Sequence, residues 1–167
     1  MRLAINGWFL SKPYTGTGQY LRGLLGHLPA VAPDLDIHVL SPVEAELPPG
    51  CNLHVIKTGR SGFGKVRFEQ WEFRRLAHHL GADLLHVPYW APPLRSSLPF
   101  VVTIHDIIPL LLPDYRGSIW TRLYTAMVSA ATQGAEIVIA DSDSSRQDLL
   151  DHLDLPDHKV CTIHLGV

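Results

Sequence analysis

The chain has little with which to staple, anchor or charge itself. Of its 167 residues only Cys51 and Cys161 are cysteines, which excludes a disulfide framework; both lie in or beside strand-like runs and read as buried free thiols of a reducing compartment. Fourteen basic residues against 16 acidic ones give a formal net charge of −2, so no general attraction to nucleic acid is expected. No apolar run reaches the roughly 20 residues needed to cross a bilayer. The opening Met1-Arg-Leu-Ala-Ile-Asn6 has neither the basic nor the apolar segment of a secretory signal. Internal repeats, low-complexity tracts and an obvious linker are missing too. The expectation is a soluble cytoplasmic protein whose residues 1–167 form one folding unit.

What is present is a core. Hydrophobic residues make up 46 % of the chain and charged residues 18 %, a balance that folds rather than stays disordered. Short apolar runs recur at Leu3 to Asn6, Ile37 to Leu40, Leu53 to Ile56, Leu84 to Val87, Val101 to His105, Ile137 to Ala140 and Val160 to His164. Between them, helical patterns run from Gly18 to Leu28, Val66 to Leu80, Ser118 to Thr132 and Ser144 to Leu153. Near-continuous apolar strands suit a sheet covered on both faces, and the alternation predicts a Rossmann-like, doubly wound α/β fold with a mostly parallel sheet of about seven strands. Phe73, Leu76, Ala77 and Leu80 keep helical spacing, with Gly81 placed as the stop. Ser144 and Gln147 match a capping box, and Asp143 adds a favourable charge at that helix start.

Chemistry-bearing residues gather at predicted strand ends, where ligands of open α/β sheets bind. His105-Asp106 closes the fifth run: the imidazole can hydrogen-bond a sugar hydroxyl or polarise a substrate, or be satisfied by backbone at a sheet edge. Asp106 can orient it or cap the next turn. Thr15-Gly16-Thr17-Gly18-Gln19-Tyr20 leads into the first helix, and its glycines allow either a close approach to phosphate or a structural turn. Leu21 stands where the dinucleotide fingerprint needs its third Gly, and the second run ends in Ser41-Pro42 without an acidic ribose ligand, Glu44 being the nearest. A nicotinamide-dependent oxidoreductase is therefore the weaker reading. Asp141-Ser142-Asp143 suits a helix cap better than a metal pair, and His86, His105 and His164 have irregular spacing for a metal site. Tyr89 and Trp90 offer an aromatic surface or belong to the core. Basic and aromatic residues interleave over 60–75, where Lys65, Arg67, Arg74 and Arg75 lie near Phe63, Phe68 and Trp71; the segment suits a solvated face or peripheral contact with an anionic membrane.

Taken in order, several blocks resemble the amino-terminal domain of the family-four retaining glycosyltransferases, enzymes of the GT-B fold. They are Gly16-x-Gly18-x-Tyr20, Asp83-Leu-Leu-His-Val-Pro-Tyr-Trp90, Val102-Thr-Ile-His-Asp-Ile-Ile-Pro109, Ile139-Ala-Asp-Ser142 with Arg146 and Asp148-Leu149, and His164-Leu-Gly-Val167. Two positions depart from the pattern: Gln19 stands where a basic residue is common, and His164 replaces a frequent Pro. The resemblance implies transfer of a hexosyl group from a nucleotide diphosphate sugar to a saccharide or lipid-linked acceptor, without a cofactor or a required metal. It implies that backbone N–H groups of Gly16, Thr17 and Gly18 meet the donor diphosphate. His105 would meet the transferred sugar, with Asp106 supporting it or making a polar contact to the acceptor, and Gln19, Tyr20, Tyr89, Trp90 and Ser142 would border the cleft. In this family a second, donor-binding domain follows the Leu-Gly-Val segment, so the chain is expected to be a truncated half that is inactive alone. A non-catalytic binding or partner domain of the same fold is the alternative.

Overall fold

The computed structural model describes residues 1–59, 61–115 and 117–166. Seven strands form one sheet: β1 (Arg2–Asn6), β2 (Asp36–Ser41), β3 (Cys51–Val55), β4 (Leu84–Val87), β5 (Phe100–Ile104), β6 (Ile137–Ala140) and β7 (Val160–Thr162). Their order is β3-β2-β1-β4-β5-β6-β7 and every pairing is parallel. The predicted doubly wound α/β class is the observed one. The winding reverses between β1 and β4, the place where such sheets open a crevice at their carboxyl edge.

Helices cover the sheet on two sides: α1 (Gly16–Val31), α2 (Gly62–Arg67), α3 (Phe73–His79), α4 (Ile108–Leu111), α5 (Ile119–Thr132) and α6 (Asp143–His152). Alternate residues of a strand face opposite ways. Leu3 and Ile5 therefore meet Leu21 and Leu25 of α1, while Ala4 packs into the second cluster with Phe68, Phe73 and Leu85. Gly81, at φ +70°, ends α3 as expected: its N–H donates to His78 O at 3.0 Å and that of Ala82 to Ala77 O at 3.0 Å.

Four local expectations shift. The helix expected from Val66 begins at Gly62, capped by Ser61, and between α2 and α3 it widens into a π-helical segment, Phe68–Glu72. Phe68 and Phe73 are both fully buried; five residues of α-helix would turn them well apart, and the wider turn returns both to the core. Helix α6 starts at Asp143 because Ser142, not Ser144, is its cap, accepting from Ser145 N at 3.1 Å. Strand β5 ends at Ile104, leaving His105 free of the ladder. The two cysteines are free but half-buried, Cys51 opening β3 and Cys161 inside β7.

Candidate functional site at the carboxyl end of the sheet

Register builds the centre of the site. Ile104 and Ala140 are partners on adjacent parallel strands, so the next residue of each, His105 and Asp141, emerges side by side. His105 Nδ1 lies 3.2 Å from Asp141 Oδ2, and both side chains are mostly covered, at 20 % and 17 % exposure. With Nδ1–H donated to the carboxylate, the lone pair of a neutral imidazole is on Nε2. Nε2 has no partner within the protein.

Asp106, the predicted support for this histidine, turns elsewhere. Its Oδ1 accepts from Ile108 N at 3.1 Å and caps the short α4, so the supporting carboxylate is Asp141. Ser145 Oγ holds the arrangement from α6, lying 3.0 Å from His105 O and 3.2 Å from Asp141 Oδ1. Ser142 contributes as the cap that places Ser145 rather than as an open polar group.

Tyr20 packs edge-on against the His105 ring, with centroids 4.9 Å apart. Its hydroxyl is 3.1 Å from Thr103 Oγ1, which lies 3.0 Å from His86 Nε2. Burial raises the Tyr20 pKa above the ordinary phenol value. His86 is buried, and desolvation pushes its pKa from 6.5 down to about 4. Its folded-state value is depressed, so the unfolded chain takes up a proton first. Stability present above pH 6.5 is lost as pH falls toward 4, by about 3 kcal/mol for this group. Glu69 acts in the opposite sense: burial raises its carboxyl pKa, so its contribution is greatest in acid and is lost as pH rises through its folded value. His86→Gln keeps a hydrogen-bonding group for Thr103 without the titration. Urea unfolding at pH 7 and pH 4 should show the variant losing less stability than the parent by about that amount, and equal losses would contradict the assignment.

The glycine loop opens α1. Thr15 caps the helix, its Oγ1 accepting from Gly18 N at 3.1 Å. Gly18 N–H is therefore spent inside the protein, a correction to the expected set of three phosphate-facing donors. Gly16 and Thr17 N–H remain at the first turn, where the helix dipole favours negative charge. Gln19 is exposed and its Nε2 donates to Pro13 O at 2.8 Å.

At the topological switch, Asn6 is fully buried; its Oδ1 accepts from Trp8 N at 3.0 Å and Tyr89 OH at 3.2 Å, and its Nδ2 has no protein partner. Tyr89 is only 5 % exposed and meets Phe9 edge-on at 4.8 Å, so it is core and not an acceptor-facing surface. Trp90 is half-buried and donates from Nε1 to Thr132 Oγ1 at 3.1 Å. Within the 60–75 segment, Arg60 lies outside the described residues. Phe68 is core; Arg67 pairs with Glu72 at 2.9 Å; Arg74 sits over the exposed Trp71 ring at 5.3 Å. Among the described residues no three His, Cys, Asp or Glu side chains converge, and no helix is long and apolar enough to cross a membrane.

A seven-stranded parallel sheet flanked by helices on both faces is the α/β architecture of GT-B glycosyltransferase half-domains. The family model for Glycosyltransferase Family 4 matches residues 14–167. The chain belongs to that family. Among solved structures it is similar to a sucrose-phosphate synthase segment from Thermosynechococcus elongatus, with TM-score 0.64 and 16 % identity over 100 % of this chain and 90 % of that one. It is also similar to the Anabaena protein Alr3699/HepE in complex with UDP-glucose, with TM-score 0.60 and 17 % identity over 100 % of this chain and 44 % of that one. A glycosyltransferase from Rickettsia africae gives TM-score 0.56 and 15 % identity over 99 % and 43 %. The chain thus spans under half the length of the latter two. No curated protein matches it by sequence.

Proposed function

We propose that the chain is the acceptor-side domain of a retaining glycosyltransferase that moves a hexosyl group from a nucleotide diphosphate sugar to a saccharide or lipid-linked acceptor. The observation that carries this reading is His105, held at the sheet's carboxyl edge by Asp141 with its Nε2 unpartnered. Such a nitrogen suits a hydroxyl of the transferred sugar, and a fixed ring orients the anomeric carbon. Gly16 and Thr17 N–H, at the positive end of α1, suit a diphosphate oxygen. The UDP-glucose held by the Anabaena neighbour supports a nucleotide sugar as donor. A second, donor-binding domain completes the cleft, and the 167-residue chain alone is inactive. Leaving-group charge is met by positive side chains and helix N-termini rather than by a metal ion. Phe63 and Trp71, both exposed, with Arg74 over the Trp71 ring at 5.3 Å, are the residues through which the enzyme would rest on an anionic membrane.

The test is a transfer assay on the native polypeptide, whose intact mass should be about twice that of this chain. Nucleotide sugars offered with saccharide acceptors should release nucleoside diphosphate, with the anomeric configuration retained by NMR and turnover unchanged by EDTA. Sensitivity to EDTA would refute the metal-free step, and an inverted anomer the stereochemistry.

A further inference from the structure

A line of polar side chains crosses the α1 side of the sheet toward His105. Ile5, which packs on α1, pairs with His86, and His86 pairs with Val101. Alternate residues of a strand share a face, so Thr103 and His105 follow Val101 on that same side. His86 Nε2 lies 3.0 Å from Thr103 Oγ1, Thr103 Oγ1 lies 3.1 Å from Tyr20 OH, and the Tyr20 ring meets the His105 ring at 76° with centroids 4.9 Å apart. His86 and Thr103 are buried. Burial lowers the His86 pKa to about 4 and raises that of Tyr20, so every hydrogen-bonding group in the line is neutral near pH 7 and none of them carries charge to His105. The line is a tether: the hydroxyl bond fixes the tyrosine ring, and that ring fixes one flank of the imidazole. Hydrogen bonds hold His105 at Nδ1 and at its backbone carbonyl, through Asp141 and Ser145, and the torsion that turns an imidazole is broad. Contact with Tyr20 restricts it. A packing role alone asks for a ring without a hydroxyl, since burying one costs free energy that its hydrogen bond must offset. Tyr20 also lies one turn beyond Gly16 and Thr17 on α1, so this ring and the two free N–H groups ride on the same turn of helix.

We propose that Tyr20 is the positioning residue of His105: tethered through Thr103 to His86, it fixes the plane of the imidazole and holds Nε2 in place relative to the Gly16 and Thr17 amides. What Nε2 meets rests on the glycosyltransferase reading, whereas the orientation of the ring does not. In this role Tyr20 acts through His105 and contacts neither donor nor acceptor.

Two measurements on the native polypeptide separate the ring's orientation from its use. NMR of the protein labelled with 15N-histidine shows which nitrogen of each imidazole carries the proton. At about pH 8, where a free imidazole is neutral, His105, identified by its absence from the His105→Ala spectrum, should be a single Nδ1–H tautomer. Tyr20→Leu should turn it into a mixture, because a ring that swings offers either nitrogen to Asp141. Tyr20→Phe keeps the core filled but loses the tether, and Thr103→Val loses it from the other side. Each should move the tautomer less and in the same direction, and the two together no further than either alone. Thermal unfolding checks that the variants fold, and Tyr20→Phe carries the test if Tyr20→Leu does not. In the transfer assay Tyr20→Leu should lower kcat roughly tenfold with donor KM within about twofold, and should lower it no further in a His105→Ala background. A merely structural tyrosine would cost the same factor in both backgrounds. An unchanged tautomer in every variant, equal kcat losses with and without His105, or a released ring with kcat unmoved overturns the proposal. Transfer at the parent's rate with the tautomer intact defeats the tether alone. Tyr20-dependent orientation of His105 in a polypeptide that shows no transfer defeats the glycosyltransferase reading and leaves the tether standing.

Discussion

Gly18→Ala should destabilise the domain by about 3–4 kcal/mol, the sum of an overpacked contact and a weakened helix cap. The backbone angles are not the cause, since Gly18 is the third residue of α1 and any residue adopts helical geometry there. Space is the cause. A Cβ at this position would stand 2.2 Å from Lys12 O and 3.0 Å from Pro13 Cα, and backbone cannot rotate away as a side chain would. Lys12 is pinned on both sides: its N–H donates to Phe9 O at 2.9 Å, and its carbonyl accepts from Thr15 N and from Thr15 Oγ1 at 2.9 Å. Relief requires the start of α1 to move outward. That loosens the Thr15 to Gly18 cap and draws Leu21 and Leu25 away from their cluster with Ile5 and Val39. Gly16→Ala is the matched control, because nothing lies within 4 Å of its Cβ position and helix propensity favours Ala by roughly 0.5–1 kcal/mol. Urea unfolding of the two variants should move the midpoint in opposite directions; a Gly18→Ala midpoint equal to the parent's would show that the loop yields.

That prediction also marks where the sequence stops being legible. Gly16-Thr17-Gly18 reads as one phosphate-facing loop when seen as letters, yet the two glycines do different things: Gly18 admits Lys12 against α1, and Gly16 leaves its surroundings open. Strand positions were readable because a sheet buried on both faces demands near-continuous apolar runs, and Glu136-Ile-Val-Ile-Ala140 can satisfy little else. The π-helical segment was not readable, because the helical stripe from Phe73 onward is regular and only its phase against Phe68 betrays the wider turn. His105 was readable from its abrupt polarity after Phe100–Ile104. Its partner was not: Asp106 is adjacent in sequence, whereas Asp141 becomes adjacent only through the β5 to β6 register. Knowing that both strands end level would have been signal enough. Lys65 reads as one of a run of basic residues suited to a solvated face, and its pairing with the fully buried Glu69 is invisible there, since no local pattern tells a helix face turned to solvent from one turned under α5.

His105→Ala should lower turnover of the complete transferase roughly ten- to hundred-fold, the cost of leaving a buried sugar hydroxyl without its partner. The loss belongs in kcat rather than in acceptor KM, because the imidazole is proposed to meet the transferred sugar and not the nucleophile. The fold should survive. The His105 side chain lies outside the ladder and the apolar clusters, and Asp141 keeps Ser145 Oγ within 3.2 Å after the imidazole has gone. Asp141→Asn separates orientation from contact: an amide can donate to Nδ1, which moves the proton to Nε2 and reverses the polarity of the nitrogen offered to the sugar. If that nitrogen accepts from the hydroxyl, Asn should cost nearly as much as Ala, whereas Asp106→Asn, acting on the turn of Ile108, should cost little. Measuring the three variants with a donor sugar deoxygenated at each hydroxyl in turn completes the cycle. One deoxy sugar should erase the difference between parent and His105→Ala, naming the contacted hydroxyl. Full turnover by His105→Ala would remove the histidine from the mechanism and leave the Gly16 and Thr17 amides as the domain's only proposed contact with the donor.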